Sequence, residues 1–230
     1  MARLSKALSL PKIFFIAMML TAFWGTFIPR AEALSMGPYL DISTGSGTLE
    51  WDRSGEEFDI DMNTAAVGFV LDTAPANPTV PSFFNYRLNI GLEGKELEDE
   101  FNNDLDLVGI TMENIFAFSL VQAPSFRWWL GPLLHLSAHS GEGDTVFDEY
   151  GYPYDVEYDF VQYGLGIVTG INFKVNPYMT FSSSIGFRVL ETKGTASLNY
   201  YYTYDRYITY SEEDLEGSTE SFFLNFALLF

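Results

Sequence analysis

The chain has 230 residues, with 12 basic and 31 acidic side chains and a formal net charge of −19, a balance that excludes nucleic acid, whose phosphates would be repelled. It contains no cysteine, so no disulfide framework holds it together and its stability must come from strand pairing and packing. Aromatic residues make up 17% of the chain, more than an ordinary globular core calls for and suited to girdles at a membrane interface.

The N-terminus reads as a secretory leader. Arg3, Lys6 and Lys12 form a basic region, residues 13–28 carry no charge, and Ala31-Glu32-Ala33 is a small-residue cleavage site. The apolar run is shorter than the roughly 20 residues of a spanning helix, which favours a cleaved leader over an uncleaved anchor. The expected division is residues 1–33 as signal peptide and 34–230 as the mature domain, with 8 basic and 30 acidic residues and a net charge of −22. Past the leader no apolar run of helical length remains, so a membrane span must be a closed barrel.

Eight segments then alternate with period two between turn signals: about 39–50, 59–71, 83–93, 105–122, 126–138, 159–173, 178–189 and 221–230. The second is the least regular, because Ala65, Ala66 and Gly68 blur its faces. In the fifth, Trp128, Leu130, Leu134 and Leu136 share one face, and Arg127, His135 and Ser137 the other. The sixth sets Val161, Tyr163, Leu165, Ile167, Ile171 and Phe173 against Gln162, Gly164, Gly166 and Asn172. In the seventh, Met179, Phe181, Ile185, Phe187 and Val189 oppose Thr180, Ser182, Ser184 and Arg188. The eighth places Phe222, Leu224, Phe226, Leu228 and Phe230 on one face and ends the chain on an aromatic residue.

The connections alternate in character. The stretch holding Pro75, Pro78 and Pro81, then Ala123-Pro124-Ser125 and Asn176-Pro177, are short or stiffened turns. Residues 51–58, 95–104, 139–158 and 190–220 are charged and mostly longer loops. Short turns on one side and long loops on the other predict an all-β fold: an eight-stranded antiparallel up-and-down transmembrane β-barrel with short periplasmic turns and long extracellular loops.

The terminal strand ending in Phe230 resembles the C-terminal insertion signal of bacterial outer-membrane β-barrels. With the leader and the eight alternating segments, the chain resembles the small outer-membrane β-barrel superfamily of OmpA type. That resemblance implies an outer-membrane location, outer-membrane lipid and lipopolysaccharide as surroundings, the barrel-assembly machinery as insertion partner, and no cofactor. A secreted soluble barrel of lipocalin type, with its apolar faces turned inward around a ligand, is the alternative.

The charged or titratable side chains expected inside are Asp41, Arg87, Glu113, Arg127, His135 and Arg188. A hairpin turn near residue 100 would set Arg87 nearly opposite Glu113, with His135 on the next strand. Buried charges must be paired, so these form either a structural network or the gate of a narrow pore. His135-Leu136-Ser137 is similar to the His-x-Ser element of outer-membrane lipid A deacylases. A serine hydrolase also needs a carboxylate to orient its histidine, for which Glu142 or Glu149 is available, although the asparagine that follows the serine in that family is Ala138 here. Asp155, Glu157 and Asp159 alternate in the third long loop and offer oxygen ligands to a divalent cation, without EF-hand spacing. The fourth carries Tyr200, Tyr201, Tyr202, Tyr204, Tyr207 and Tyr210, whose alternation with threonine predicts strand extensions above the membrane. Tyr200, Tyr202, Tyr204, Tyr207 and Tyr210 are the candidate surface for an extracellular ligand, since tyrosine offers amphipathic contact area at low entropic cost. The expected role is structural or surface-interacting, without enzymatic activity; the alternatives are a deacylase-like enzyme using Ser137 and His135, and a narrow pore.

Overall fold

Period-two alternation carried through every long segment gives each strand one face for lipid and one for its own interior. The computed structural model describes residues 34–52, 55–73, 83–99, 104–143, 146–147, 153–203 and 206–230; the leader and the connection at 74–82 lie outside the described residues. The strands are β1 (Ser35–Trp51), β2 (Glu57–Asp72), β3 (Phe84–Asp99), β4 (Asp104–Ala123), β5 (Phe126–Glu142), the two-residue β6 (Val146–Phe147), β7 (Pro153–Asn176), β8 (Met179–Thr203) and β9 (Arg206–Leu229). The eight long strands pair antiparallel in sequence, and the sheet closes on itself because β1 pairs with β9 and β5 with β7. At the β1–β9 seam the register runs from Tyr39↔Ala227 to Trp51↔Leu215. Below it, the N–H of Phe230 donates to the Met36 carbonyl at 3.0 Å and the N–H of Met36 to the Phe230 carbonyl at 3.3 Å. The terminal phenylalanine is thus held in the seam itself. Closure removes the open edges that hydrocarbon cannot satisfy.

Polarity is inverted relative to a soluble barrel. Phe69 is 73% exposed, Leu165 64% and Phe222 63%, while Arg87, Glu113 and Asn172 are buried inside. The outward positions from Met36 to Ile42 on β1, Phe84 to Leu92 on β3, Val161 to Phe173 on β7 and Phe222 to Phe230 on β9 form an apolar band. Its polar members are bonded: Tyr86 Oη donates to Asn114 Oδ1 at 2.6 Å and Trp128 Nε1 to Thr169 Oγ1 at 2.9 Å. Among the described residues, outward-facing charge begins beyond this band, at Asp61, Glu96, Asp106, Asp159, Glu191 and Glu220. Aromatic rings gather where the band meets the short turns at Pro124-Ser125 and Pro177-Tyr178, as in the Phe83–Phe118 and Phe84–Phe118 pairs at 5.6 and 5.5 Å. This arrangement overturns the lipocalin alternative, which requires the apolar faces inside.

The interior is packed. Tyr39, Ala66, Val70, Ala227 and Leu229 fill it near the turn end; Ile115, Ala117, Trp129, Leu133, Val168 and Phe223 fill the middle. A third cluster, including Leu49, Ile60, Met62, Leu97, Leu107, Phe160 and Leu215, caps the opposite end, with Trp51, Phe58, Leu105 and Tyr158 packed against it. Glycine makes room at close approaches: a Cβ on Gly186 would lie 2.4 Å from the Phe223 ring.

The strands run well past the predicted boundaries. β7, β8 and β9 have 24, 25 and 24 residues, against about 9–11 needed to cross a bilayer. Much of the predicted loops at 95–104, 139–158 and 190–220 is therefore strand, because outward charge replaces outward apolar residues above the band without breaking the alternation. The tyrosine-rich stretch is a β8–β9 hairpin, as its alternation implied, pairing through Tyr200↔Ile208 and Tyr201↔Tyr207.

Candidate functional site

Inward positions on neighbouring strands build one continuous polar network along the lumen. Register sets Asn89 opposite Glu113 and Glu113 opposite His135, while Arg188 on β8 stands opposite Gly166 of β7, whose missing side chain leaves room for the arginine. The guanidinium of Arg188 donates from Nη1 to Glu113 Oε1 at 2.7 Å, from Nη2 to Ser43 Oγ at 2.9 Å and from Nε to Ser221 Oγ at 3.1 Å; Asp41 Oδ1 lies 3.7 Å from Nη2. Asn89 Nδ2 donates to the other Glu113 oxygen at 3.0 Å. The guanidinium carbon also sits 5.1 Å from the centre of the Phe223 ring. Three edges of the guanidinium are thus satisfied, the condition for a buried cation to be tolerated.

Toward the turn end, Arg87 donates to Ser182 Oγ at 2.6 Å, Asn225 Oδ1 at 3.2 Å and Asn89 Oδ1 at 3.4 Å, and Asn225 Nδ2 donates on to Asp41 at 3.3 Å. Arg127 reaches Ser119 at 2.6 Å and Asn85 at 2.8 Å, and Asn85 donates to Asp72 at 2.8 Å. Toward the apolar cap, Glu93 Oε1 lies 3.3 Å from Lys95 Nζ and 3.0 Å from His139 Nε2; Lys95 also donates to Gln162, which donates to Thr192 at 2.7 Å. Between this group and the cap is a cavity of about 10 Å³, room for about one water molecule.

All six predicted luminal residues lie inside, but one predicted pairing is wrong. Arg87 stands opposite Ile115, not Glu113, because the β3–β4 hairpin is centred one residue later than expected, which moves every pair by two positions. Glu113 is held instead by Arg188, Asn89 and His135. Asp72, Glu93, Lys95 and His139 also belong to the network, beyond the six residues that the sequence singles out. Their signal was available: continuing the alternation of the third and fifth segments by one step places Lys95 and His139 inside.

His135 and Ser137 do face the lumen together, with His135 Nε2 3.1 Å from Ser137 Oγ. Their carboxylate is not Glu142, which is exposed at the far end of β5, but Glu113, whose Oε1 lies 3.4 Å from His135 Nδ1. Glu149 lies outside the described residues. His135 Nδ1 thus stands between Glu113 Oε1, which can only accept, and Arg188 Nη1, which can only donate, at 3.4 and 3.3 Å, so these contacts fix neither tautomer of the imidazole.

The acidic trio lies only partly within the described residues. Glu157 and Asp159 are exposed on the outer face of β7, the side chain of Asp155 lies outside the described residues, and no group of three or more metal-ligating side chains occurs among the described residues. Tyr200, Tyr202, Tyr207 and Tyr210 sit on the described backbone of the β8–β9 hairpin, but their side chains, and Tyr204 altogether, lie outside the described residues.

No protein-family model matches the sequence, and no curated protein matches it. Among solved structures, the outer membrane protein OprG from Pseudomonas aeruginosa is similar in fold at 11% identity, over 84% of this chain and 96% of that one, with a TM-score of 0.51. The outer membrane protease OmpT from Escherichia coli aligns at 8% identity over 86% and 97% of the two chains (TM-score 0.38), and Neisserial surface protein A at 13% over 84% and 98% (TM-score 0.30). By fold, and by the polarity of its two faces, the chain is an outer-membrane β-barrel.

Proposed function

We propose that the protein is a closed, non-conducting barrel of OmpA type in the bacterial outer membrane, and that it serves as a structural and surface-interaction element without catalysis. Its surroundings are outer-membrane lipid and lipopolysaccharide, and insertion is by the barrel-assembly machinery. The observation that carries the reading is the filled lumen. Buried charged side chains are held by ion pairs or hydrogen bonds along its length, and an apolar cluster closes the end away from the termini, above the lipid band. A barrel of eight strands is just wide enough for side chains to fill, and here they fill it. What remains distinctive is outside: β7, β8 and β9 carry an acidic, tyrosine-rich extension well beyond the membrane, the natural place to meet an extracellular ligand.

One observation favours a second reading, a lipid A deacylase-like enzyme: Ser137, His135 and Glu113 stand in the order nucleophile, base and orienting acid. Against it weighs the burial of all three side chains within the packed lumen. Expression in a Gram-negative host with confirmed outer-membrane insertion, followed by mass analysis of lipid A, separates the two. The proposal expects unchanged masses; loss of one acyl chain, abolished by Ser137→Ala, would establish the enzyme.

A further inference from the structure

The luminal network ends, beneath the apolar cap, in a polar group with one hydrogen bond missing. His139 points inward from β5 into space left by Gly109 of β4, where an added Cβ would lie 2.6 Å from the imidazole Cδ2. Its Nε2 is 3.0 Å from Glu93 Oε1, an oxygen that also faces Lys95 Nζ at 3.3 Å. A carboxylate held by a lysine can only accept, so Nε2 carries the hydrogen and Nδ1 of the neutral ring is an acceptor. That Nδ1 is buried and has no partner among the described residues. Lys95 has three N–H donors and, among the described residues, two acceptors, Glu93 and Gln162. His139 and Lys95 both line the cavity below the cap, with Gln162, Thr192 and apolar residues of the cap as its other walls. One water molecule there accepts from Lys95 and donates to Nδ1, which satisfies both.

Charge makes this group sensitive to acid. Among the described residues the buried acids of the lumen are Asp41, Asp72, Glu93 and Glu113, and the buried bases are Arg87, Lys95, Arg127 and Arg188, so the interior balances only while both histidines are neutral. The charged side chains beside His139 and the cavity are Glu93 and Lys95 of β3. From β1, β2, β4, β7 and β8 come Leu49, Ile60, Leu107, Phe160, Gln162 and Thr192, none of them charged, while His135 and Arg188 stand further toward the turn end on β5 and β8. Protonation makes Nδ1 a donor, which leaves the water with donors on both sides and its own hydrogens against apolar side chains. Two cations then share Glu93, and the added charge demands further hydration. We infer that Glu93, Lys95 and His139, with one bound water molecule, form an acid-sensitive latch: neutral His139 holds the apolar cap down, and its protonation loosens the cap and admits water to this layer. The middle of the lumen stays filled by the cluster around Trp129, so no ion path follows. The latch rests on the closed-barrel reading and adds the condition under which its cap loosens.

The test uses the full chain in lipid nanodiscs. Its two histidines give two sets of resonances when the imidazole nitrogens are isotopically labelled, and His135→Gln assigns them. At neutral pH His139 should be the Nε2–H tautomer. Trp51 packs against the cap, its ring 6.2 Å from that of Phe58, so acrylamide quenching with the Trp51→Phe signal subtracted reads the cap. Between about pH 7.5 and 4.5 the quenching constant of Trp51 should rise about twofold or more, with the midpoint at which His139 titrates. The rise should vanish in His139→Gln, which keeps a donor for Glu93 but takes no proton, and persist in His135→Gln. An Nδ1–H tautomer at neutral pH, a His139 that stays neutral throughout, quenching that does not rise, or a rise that survives His139→Gln would each overturn the latch. Should His139→Gln fail to fold, the wild-type midpoints still decide: coincidence supports the latch and separation overturns it. None of these results alters conductance at neutral pH, so failure here is distinguishable from failure of the closed-barrel reading.

Discussion

Replacing Glu113 with leucine removes the anion at the centre of the lumen. Its two oxygens accept from Arg188 at 2.7 Å and Asn89 at 3.0 Å, and it faces His135 at 3.4 Å. The variant leaves Arg188 buried with Asp41 as its remaining acid, at 3.7 Å, too far for a good hydrogen bond. Breaking a buried pair by deleting one partner costs about 3–5 kcal/mol, because the remaining charge stays desolvated. Asp41 offsets part of that, so about 3 kcal/mol is expected. Arg188→Met should cost a similar amount. The double variant Glu113→Leu, Arg188→Met should cost clearly less than the sum of the two single variants, since apolar replacement of a buried pair is often neutral and Asp41 still accepts from Asn225. Equilibrium urea unfolding in lipid vesicles, followed by tryptophan fluorescence from the buried Trp129, gives all three values and the coupling energy. If each single variant costs less than about 1 kcal/mol and the effects simply add, the luminal pair is solvated and the network is not the sealed structure argued here.

Two further perturbations probe the other assignments. Leu134→Arg, on the lipid-facing side of β5, should destabilise the barrel by about 2–4 kcal/mol, whereas Ser140→Arg, toward the rim of the same face, should cost about 0–1 kcal/mol; equal costs in vesicle unfolding would mean the apolar band is misplaced. Ser137→Ala removes one hydrogen bond to His135, so unfolding should register about 1 kcal/mol while lipid A masses stay unchanged; a changed lipid A profile between wild type and variant would count for the hydrolase.

Much of this architecture is legible in the residues alone, and the parts that are not share a cause. The phases of β5, β7 and β8 follow directly from Trp128 to Leu136, Val161 to Phe173 and Met179 to Val189, because lipid demands unbroken apolar residues on one face. The same criterion ends each strand too early. Above the band the outward face turns polar or acidic, as at Ser140 and Glu96, so a search for apolar alternation stops while the backbone continues, and Lys95 and His139 are taken for loop residues. Alternation gives the facing of Arg87 but not its cross-strand partner, since moving a hairpin turn by one residue shifts cross-strand pairs by two. Proximity in sequence points to Glu142 or Glu149 as the carboxylate for His135, whereas the sheet sets Glu113 of the adjacent strand beside it.

The most direct test of the central claim is the conductance of the purified full chain in planar lipid bilayers, with insertion confirmed by its heat-dependent gel mobility. Buried pairs along the lumen and the apolar cap formed by residues such as Leu49, Ile60, Leu97 and Phe160 predict no conductance steps above the bare bilayer, in wild type and in Glu113→Ala alike, because the cap lies apart from the deleted carboxylate. Steady ion-conducting steps in wild type, shifted in size or frequency by Glu113→Ala, would contradict the closed barrel and make the luminal network a gate.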